Sequence, residues 1–69
     1  MNLVIDIGNS RVKLALFNEY DLLFNVPLDE LKTSQLQLLL NDHPQLNKAI
    51  LSSVRDYPDE IRKWLSDSF

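Results

Sequence analysis

The sequence predicts a small α/β domain whose elements follow the order βββαβα. Residues 1–26 contain three short runs of strand character separated by polar turns. Beyond them, apolar residues recur at helical spacing, and a short apolar run then precedes a second, proline-led helical segment. Strands followed by an alternation of helix and strand are typical of a sheet with helices packed against it.

The first two strands are predicted to form an antiparallel hairpin. Residues 3–7 are a short, mostly β-branched run, apolar on both faces as in a central strand, that ends at Gly8. Residues 12–17 alternate between aliphatic and other side chains at period two. Because only a few turn residues separate these runs, the hairpin is expected over about residues 2–18, with its tip at residues 8–10.

The third and fourth strands are predicted from shorter runs. After a turn at residues 18–21, residues 22–26 form the third strand, and Pro27 ends it because proline has no N–H to donate to a neighbouring strand. Residues 49–51 are apolar and follow a helix, so they predict the fourth strand.

Two helices complete the predicted order. Ser34 and Gln37 fit a capping box at the start of the first helix, which ends at His43 and Pro44. Pro58 suits the first turn of the second helix, where a missing N–H costs nothing. The apolar faces of the two helices comprise Leu36, Leu39 and Leu40 in the first, and Ile61, Trp64 and Leu65 in the second.

Composition excludes several classes of function. The 69-residue chain has no cysteine, which excludes disulfide bridges, thiolate chemistry and cysteine-based zinc sites, and its one histidine cannot form a histidine metal cluster. A hydrophobic content of 45% argues against disorder, and a net charge of −3 argues against a general nucleic-acid binder. The apolar stretches at residues 1–5 and 38–40 are too short for a targeting signal or a membrane span. We therefore expect a soluble, cytoplasmic protein that binds neither nucleic acid nor membrane.

The polar residues of the first hairpin are concentrated at its tip. They are Asp6, Asn9, Ser10, Arg11 and Lys13. Asp6 ends an apolar strand, where an ionised carboxylate is costly unless it is hydrogen-bonded, paired or near a metal. Gly8 permits a sharp turn and the close approach of a ligand, and successive N–H groups around such a turn can bind an anion. An aspartate for Mg²⁺ beside a small-residue turn for phosphates is the combination that nucleotide binding needs.

An ordinary hairpin turn explains part of the same pattern. Gly8 and Asn9 are common turn residues, and Asp6 would then cap the turn by bonding to its backbone. The Walker and dinucleotide motifs are excluded, because each needs at least two glycines and Gly8 is the only one in the chain. Residue chemistry alone leaves both interpretations open.

Residues 1–13, MNLVIDIGNSRVK, and residues 50–54, ILSSV, are two segments that resemble type III pantothenate kinases, a family of the acetate and sugar kinase/Hsp70/actin superfamily. Residues 1–13, MNLVIDIGNSRVK, resemble the start of that family, whose first phosphate motif is Asp-x-Gly-Asn-Thr/Ser. The residues that fill the motif here are Asp6, Gly8, Asn9 and Ser10. Residues 50–54, ILSSV, resemble the family's strand that ends in Ser-Ser/Ala-Val before a proline-led helix. After this strand the chain departs from the family, with RDYP at residues 55–58 in place of an early Val-Pro.

The resemblance implies transfer of the ATP γ-phosphoryl group to pantothenate, giving 4'-phosphopantothenate in the first step of coenzyme A biosynthesis. It implies that Asp6 helps to hold Mg²⁺ through water and that Arg11 or Lys13 offsets the charge of the phosphates. The residues implied in binding the ATP phosphates are Asp6, Ile7, Gly8, Asn9, Ser10, Arg11, Val12 and Lys13. A monovalent cation, K⁺ or NH₄⁺, and a homodimer with substrate at its interface are also implied.

The resemblance covers only the N-terminal portion of the family's nucleotide-binding domain. It implies a ribonuclease H-like mixed sheet, of which residues 1–69 would be the N-terminal βββαβα part of the first actin-like ATPase domain. The family's general base, in a Gly-x-Asp-Arg motif, its cation ligand and most of its pantothenate site would lie in the remainder of that domain and in a second domain. We therefore expect the 69 residues alone to be catalytically inactive.

Two other functions remain open. Another kinase or ATPase of the superfamily, such as a sugar or acetate kinase, would share the hairpin, although these more often carry Gly-Gly-Thr or Gly-Thr-Thr where this chain has Gly8 and Asn9. A small non-catalytic interaction module fits the short length. His43 is expected to have no catalytic role, and Ser52 and Ser53, at the end of a strand, are expected to be structural.

Overall fold

The chain forms six elements in the predicted order. The computed structural model describes residues 1–69, and its elements are β1 (Asn2–Ile7), β2 (Val12–Phe17), β3 (Leu22–Leu28), α1 (Thr33–Asp42), β4 (Lys48–Ser53) and α2 (Asp59–Ser68). The strands lie where short aliphatic runs occur, and the helices lie where apolar residues recur three and four apart. The result is a mixed α/β fold.

The four strands form one mixed sheet in the order β3-β2-β1-β4. β1 and β2 pair antiparallel, as do β2 and β3, so the predicted hairpin and its continuation are confirmed. β4 pairs parallel with β1, because the segment containing α1 returns the chain to the end of the sheet where β1 starts. β1 is therefore an interior strand, and the tip of the hairpin lies beside the C-terminal end of β4.

One face of the sheet is covered by both helices and holds the core. The buried residues are Leu3, Ile5, Ile7, Val12, Leu14, Leu16, Leu31, Leu36, Leu46 and Ile61. They form one cluster, because alternate residues of β1 and β2 point to the same face of the sheet. The other predicted apolar residues of the helices pack against this cluster and are partly buried; they are Leu39, Leu40, Trp64 and Leu65.

The opposite face of the sheet is open. Val4 is half-buried on this face, whereas Asp6, Lys13 and Ile50 are exposed. β1 is a central strand, as its apolar run predicts, but only one of its faces is covered, because the apolar stripes of α1 and α2 both pack against the face that carries the alternate aliphatic residues.

The third strand continues through its proline. β3 includes Pro27 and ends at Leu28, so the prediction that Pro27 ends the strand is wrong. Pro27 is the register partner of Lys13 in β2. β3 is an edge strand with a partner on one side only, and an edge strand tolerates a residue without an N–H when its nitrogen faces away from the ladder.

The start of helix α1 also differs from the prediction. The backbone N–H of Lys32 donates to Gln35 Oε1 at 2.8 Å, which satisfies one backbone donor at the helix start. The predicted box of Ser34 and Gln37 is wrong, because Gln37 Oε1 instead accepts a hydrogen bond from Trp64 Nε1 at 3.0 Å. That bond joins the two helices.

Helix α2 begins one residue later than its predicted proline. Pro58 immediately precedes the helix, and Asp59 and Glu60 occupy its first turn, where negative charge is favourable to the helix dipole. Each helix contains 10 residues, and neither has the length and apolar character that a membrane crossing requires.

Candidate functional site

The tip of the first hairpin forms a polar depression of about 300 Å³. Its lining contains no apolar side chain and consists of Asp6, Gly8, Asn9, Ser10, Arg11 and Lys13. The remaining residues of the predicted site, Ile7 and Val12, have side chains that are only 2% and 1% exposed in the core. They can therefore offer a ligand only backbone groups. The structure thus brings together every polar residue that the sequence placed in the site.

Asp6 and Lys13 lie directly opposite each other on β1 and β2. Both are exposed on the open face of the sheet, and they form no ion pair with each other. The argument that Asp6 is a costly buried carboxylate is therefore wrong, because the strand that carries it is covered on one face only. On its other side, Asp6 is the register partner of Ser52 in β4.

The carboxylate of Asp6 does not cap the turn. It accepts no hydrogen bond from any group of the chain, and the one bond across the turn is a backbone bond of 2.9 Å from the Gly8 N–H to the Arg11 carbonyl oxygen. Both oxygens of Asp6 are therefore free to accept hydrogen bonds from metal-bound water or to contact a cation. This geometry favours the ligand-binding interpretation of Asp6 over the turn-capping one.

Gly8 is needed here for close approach rather than for an unusual backbone angle. Its φ is not positive. A Cβ atom at this position would lie 3.2 Å from the Arg11 carbonyl oxygen, which is tighter than an ordinary contact. The glycine thus lets the two sides of the tip approach each other where they would otherwise be held apart.

The backbone at the tip presents donors that the chain does not use. The N–H groups of Asn9, Ser10 and Arg11 donate to no group in the protein. The second turn is different, because Asn18 and Asp21 exchange both possible backbone bonds, at 3.0 and 3.1 Å. Successive free N–H groups around a turn form a concave surface that binds anions, and the positive charge of Lys13 adds to it.

Arg55 is a residue of the tip that the sequence did not predict. Its Nε donates to the Gly8 carbonyl oxygen at 2.7 Å, across a separation of 47 residues. The loop that carries it is fixed to the sheet, because the Val54 N–H donates to the Ile7 carbonyl oxygen at 3.0 Å. Ser53 Oγ donates to the Arg55 carbonyl oxygen and accepts from the Arg55 N–H at 3.2 Å. The structural role expected of Ser53 is therefore to shape this loop.

The sequence signal for Arg55 was the departure from the family pattern after residue 54. That departure marks the loop as unusual, but it does not say which group Arg55 contacts, since the contact depends on the parallel register of β1 and β4.

The site contains one carboxylate and no cluster of metal ligands. No group of three or more His, Asp or Glu side chains is placed to hold a metal ion. A single aspartate still suits Mg²⁺, which keeps several waters and is commonly held by one or two carboxylates together with the phosphates of a nucleotide. His43 lies elsewhere, with its ring edge-on to Phe24 at 6.0 Å between centroids.

Comparison of the chain with protein-family models, with curated proteins and with solved structures gives no significant match. Function is therefore inferred from the residues and geometry of the tip, together with the resemblance in residues 1–13 and 50–54.

Proposed function

We propose that the first hairpin binds the phosphates of Mg²⁺-ATP, and that the chain forms the start of the nucleotide-binding domain of a type III pantothenate kinase. The observation that supports this most directly is the depression at the tip, lined only by polar residues and glycine, where free N–H groups, Asp6 and Lys13 come together. The first turn leaves three successive N–H groups without a protein partner, at residues 9–11, whereas the second turn leaves one, at Tyr20.

Each group has a defined task in this proposal. The N–H groups of residues 9–11 donate to phosphate oxygens, and Lys13 offsets their negative charge. Asp6 would help to hold Mg²⁺ by accepting hydrogen bonds from its bound water. When bound, Mg²⁺ would neutralise part of the negative charge on the phosphates. Phosphoryl transfer depends mostly on such positioning and electrostatic stabilisation.

The reaction proposed for the whole protein is the phosphorylation of pantothenate to 4'-phosphopantothenate. The general base, a K⁺ or NH₄⁺ site, the pantothenate site and a homodimer interface belong to the same proposal, as do a ribonuclease H-like domain and action in the cytoplasm. Asn9 supports this family over sugar and acetate kinases, which more often have threonine and further glycine at the turn.

Nucleotide binding is tested on the 69-residue chain by NMR titration with Mg²⁺-ATP. We expect the amide chemical shifts of residues 9–11 to change as Mg²⁺-ATP is added and to reach a plateau when the site is saturated. The amides of Asn18, Glu19 and Asp21, which all donate within the second turn, are the internal control, and their signals should stay in place. Equal movement of both turns, or no movement at saturating nucleotide, would contradict phosphate binding at the tip.

The reaction is tested on the full-length product of the gene. We expect ATP-dependent formation of 4'-phosphopantothenate that increases when K⁺ or NH₄⁺ is added. Activity on acetate or a sugar without activity on pantothenate would assign the protein to another kinase of the superfamily. A gene that stops after Phe69 and yields no activity would favour a non-catalytic interaction module.

A further inference from the structure

The two hairpin turns of the sheet have the same length but close differently. In the second turn, the Asp21 N–H donates back to the Asn18 carbonyl oxygen at 3.1 Å. The equivalent bond in the first turn would run from the Arg11 N–H to the Gly8 carbonyl oxygen, and it is absent. The Gly8 carbonyl oxygen accepts instead from Arg55 Nε at 2.7 Å.

We propose that Arg55 is a positioning residue of the phosphate site. A carbonyl oxygen can accept two hydrogen bonds, so Arg55 acts in this proposal by holding the Gly8 carbonyl oxygen turned toward its own Nε and away from the Arg11 N–H, which stays free to donate to a phosphate oxygen. This inference rests on the proposed function, because it explains how the tip keeps a donor available for the anion.

Asp29 and Glu30 line the same depression as Arg55, but neither forms an ion pair with it. Arg55 forms no ion pair, and the only salt bridge of the protein joins Arg62 and Asp59 on helix α2. An exposed arginine without an acidic partner gains little from being held in place unless its hydrogen bond matters. The bond from Nε to a backbone carbonyl is therefore the interaction that defines its position.

Hydrogen bonds on both sides of Arg55 hold the backbone of its loop in place. Ser53 Oγ bonds to both the N–H and the carbonyl oxygen of Arg55, and the Val54 N–H bonds to Ile7, the residue before Gly8. The backbone of Arg55 is thus tied to the end of β4 and, through Val54, to the base of the tip. These bonds place the backbone of Arg55 within reach of the Gly8 carbonyl oxygen, and the planar guanidinium then provides a donor of fixed geometry.

The test replaces Arg55 by methionine, which keeps an unbranched side chain and removes every donor. The matched control is Lys48→Met, which removes one positive charge from the exposed start of β4, at the opposite end of the sheet from the tip. Two quantities are measured on isotopically labelled 69-residue chains: the through-hydrogen-bond coupling between the Arg11 amide nitrogen and the Gly8 carbonyl carbon, and the dissociation constant for inorganic phosphate.

We expect no Arg11–Gly8 coupling in the native chain or in Lys48→Met, and a measurable coupling in Arg55→Met. Phosphate should bind about tenfold more weakly to Arg55→Met, which corresponds to the loss of one hydrogen bond to a charged group. Lys48→Met should weaken phosphate binding by less than about twofold, since screening limits its effect over the length of the sheet.

Several results would overturn the inference. A coupling between Arg11 and Gly8 in the native chain would show that the turn is already closed. Absence of the coupling in a folded Arg55→Met, or equal loss of affinity in both variants, would show that Arg55 acts only through its charge or not at all. If Arg55→Met loses its dispersed amide signals, Arg55→Gln is compared in the same way.

The same experiment separates this inference from the proposed function. If the native chain binds no phosphate or nucleotide, phosphate binding at the tip is wrong. The coupling then still decides whether Arg55 holds the turn open.

Discussion

Asp6 lies in β1, beside the first turn, but its carboxylate takes no part in the hydrogen bonds of that turn. Its carboxylate is exposed, accepts no hydrogen bond and has no partner cation within the chain. A side chain with so few contacts contributes little to stability. In the proposed function Asp6 acts on a bound metal, so function and stability can be separated at this residue.

We predict that Asp6→Asn in the full-length gene product lowers kcat/KM for ATP about a hundredfold. The substitution keeps the shape of the side chain and removes the charge that attracts metal-bound water, a loss of ~3 kcal/mol in the transition state. The free energy of unfolding should change by less than about 0.5 kcal/mol, as for other exposed positions. Steady-state kinetics and thermal unfolding of the same preparation measure both quantities.

Asp21→Asn is the control for this prediction, because it makes the same change in the second turn. It should leave both kinetics and stability unchanged. Native kinetics in Asp6→Asn, or an equal effect of the two substitutions, would remove Asp6 from the site.

At the residue scale, the sequence predicted the polar groups of the tip but not how they are held. Asp6, Gly8 and Lys13 are close in the chain, so a hairpin is enough to bring them together. Arg55 reaches Gly8 only because β4 pairs in parallel with β1 in one particular register. No local pattern encodes that register, so this contact could be found only in the folded chain.

In helix α1, the apolar stripe determines which face of the helix packs against the sheet. Leu36 is 0% exposed against the sheet, whereas Leu38, two residues later, is 64% exposed. Leu36 is the point where the helix is attached to the core, and Leu38 faces solvent.

We predict that Leu36→Ala destabilises the chain by about 2–5 kcal/mol, because it removes buried apolar contacts and leaves a cavity. Leu38→Ala should change the free energy of unfolding by less than about 0.5 kcal/mol. Denaturant unfolding of both variants measures the difference. Equal destabilisation by the two substitutions would mean that the helix packs on a different face.

At the element scale, the spacing of apolar residues predicted where helices and strands lie. Proline and capping residues predicted the ends of these elements less well. Pro27 does not end β3, because that strand is at the edge of the sheet and loses no ladder bond there. Gln37 does not cap α1, because Trp64 of the second helix binds its side-chain oxygen. In both cases the tertiary arrangement decided the outcome: β3 has no strand on its outer side, and α1 has a neighbouring helix.

At the scale of the whole molecule, the sheet has one face in the core and one face exposed. Ile5 and Ile50 have the same side chain on neighbouring strands and differ completely in burial, at 0% and 65% exposed. The sequence could not reveal this difference, because both residues sit in equally apolar runs.

We predict that Ile5→Thr destabilises the chain by about 2 kcal/mol or more, because it removes buried carbon and places a hydroxyl among aliphatic side chains. Ile50→Thr should have an effect below about 0.5 kcal/mol. Thermal unfolding of both variants under one set of conditions makes the comparison. A large effect of Ile50→Thr would show that the exposed face is covered in solution.

The parallel pairing of β1 with β4 also fixes an order of events in folding. Hairpins between neighbouring strands form in about 1–10 µs, whereas Asn2 and its partner Lys48 are far apart in the chain, and such contacts form later because loop closure must come first. Arg55 therefore reaches Gly8 after the first hairpin exists. We expect the newly formed turn to close on itself and to open only when β4 docks, so that the site matures in the last step of folding rather than with the loop that contains it.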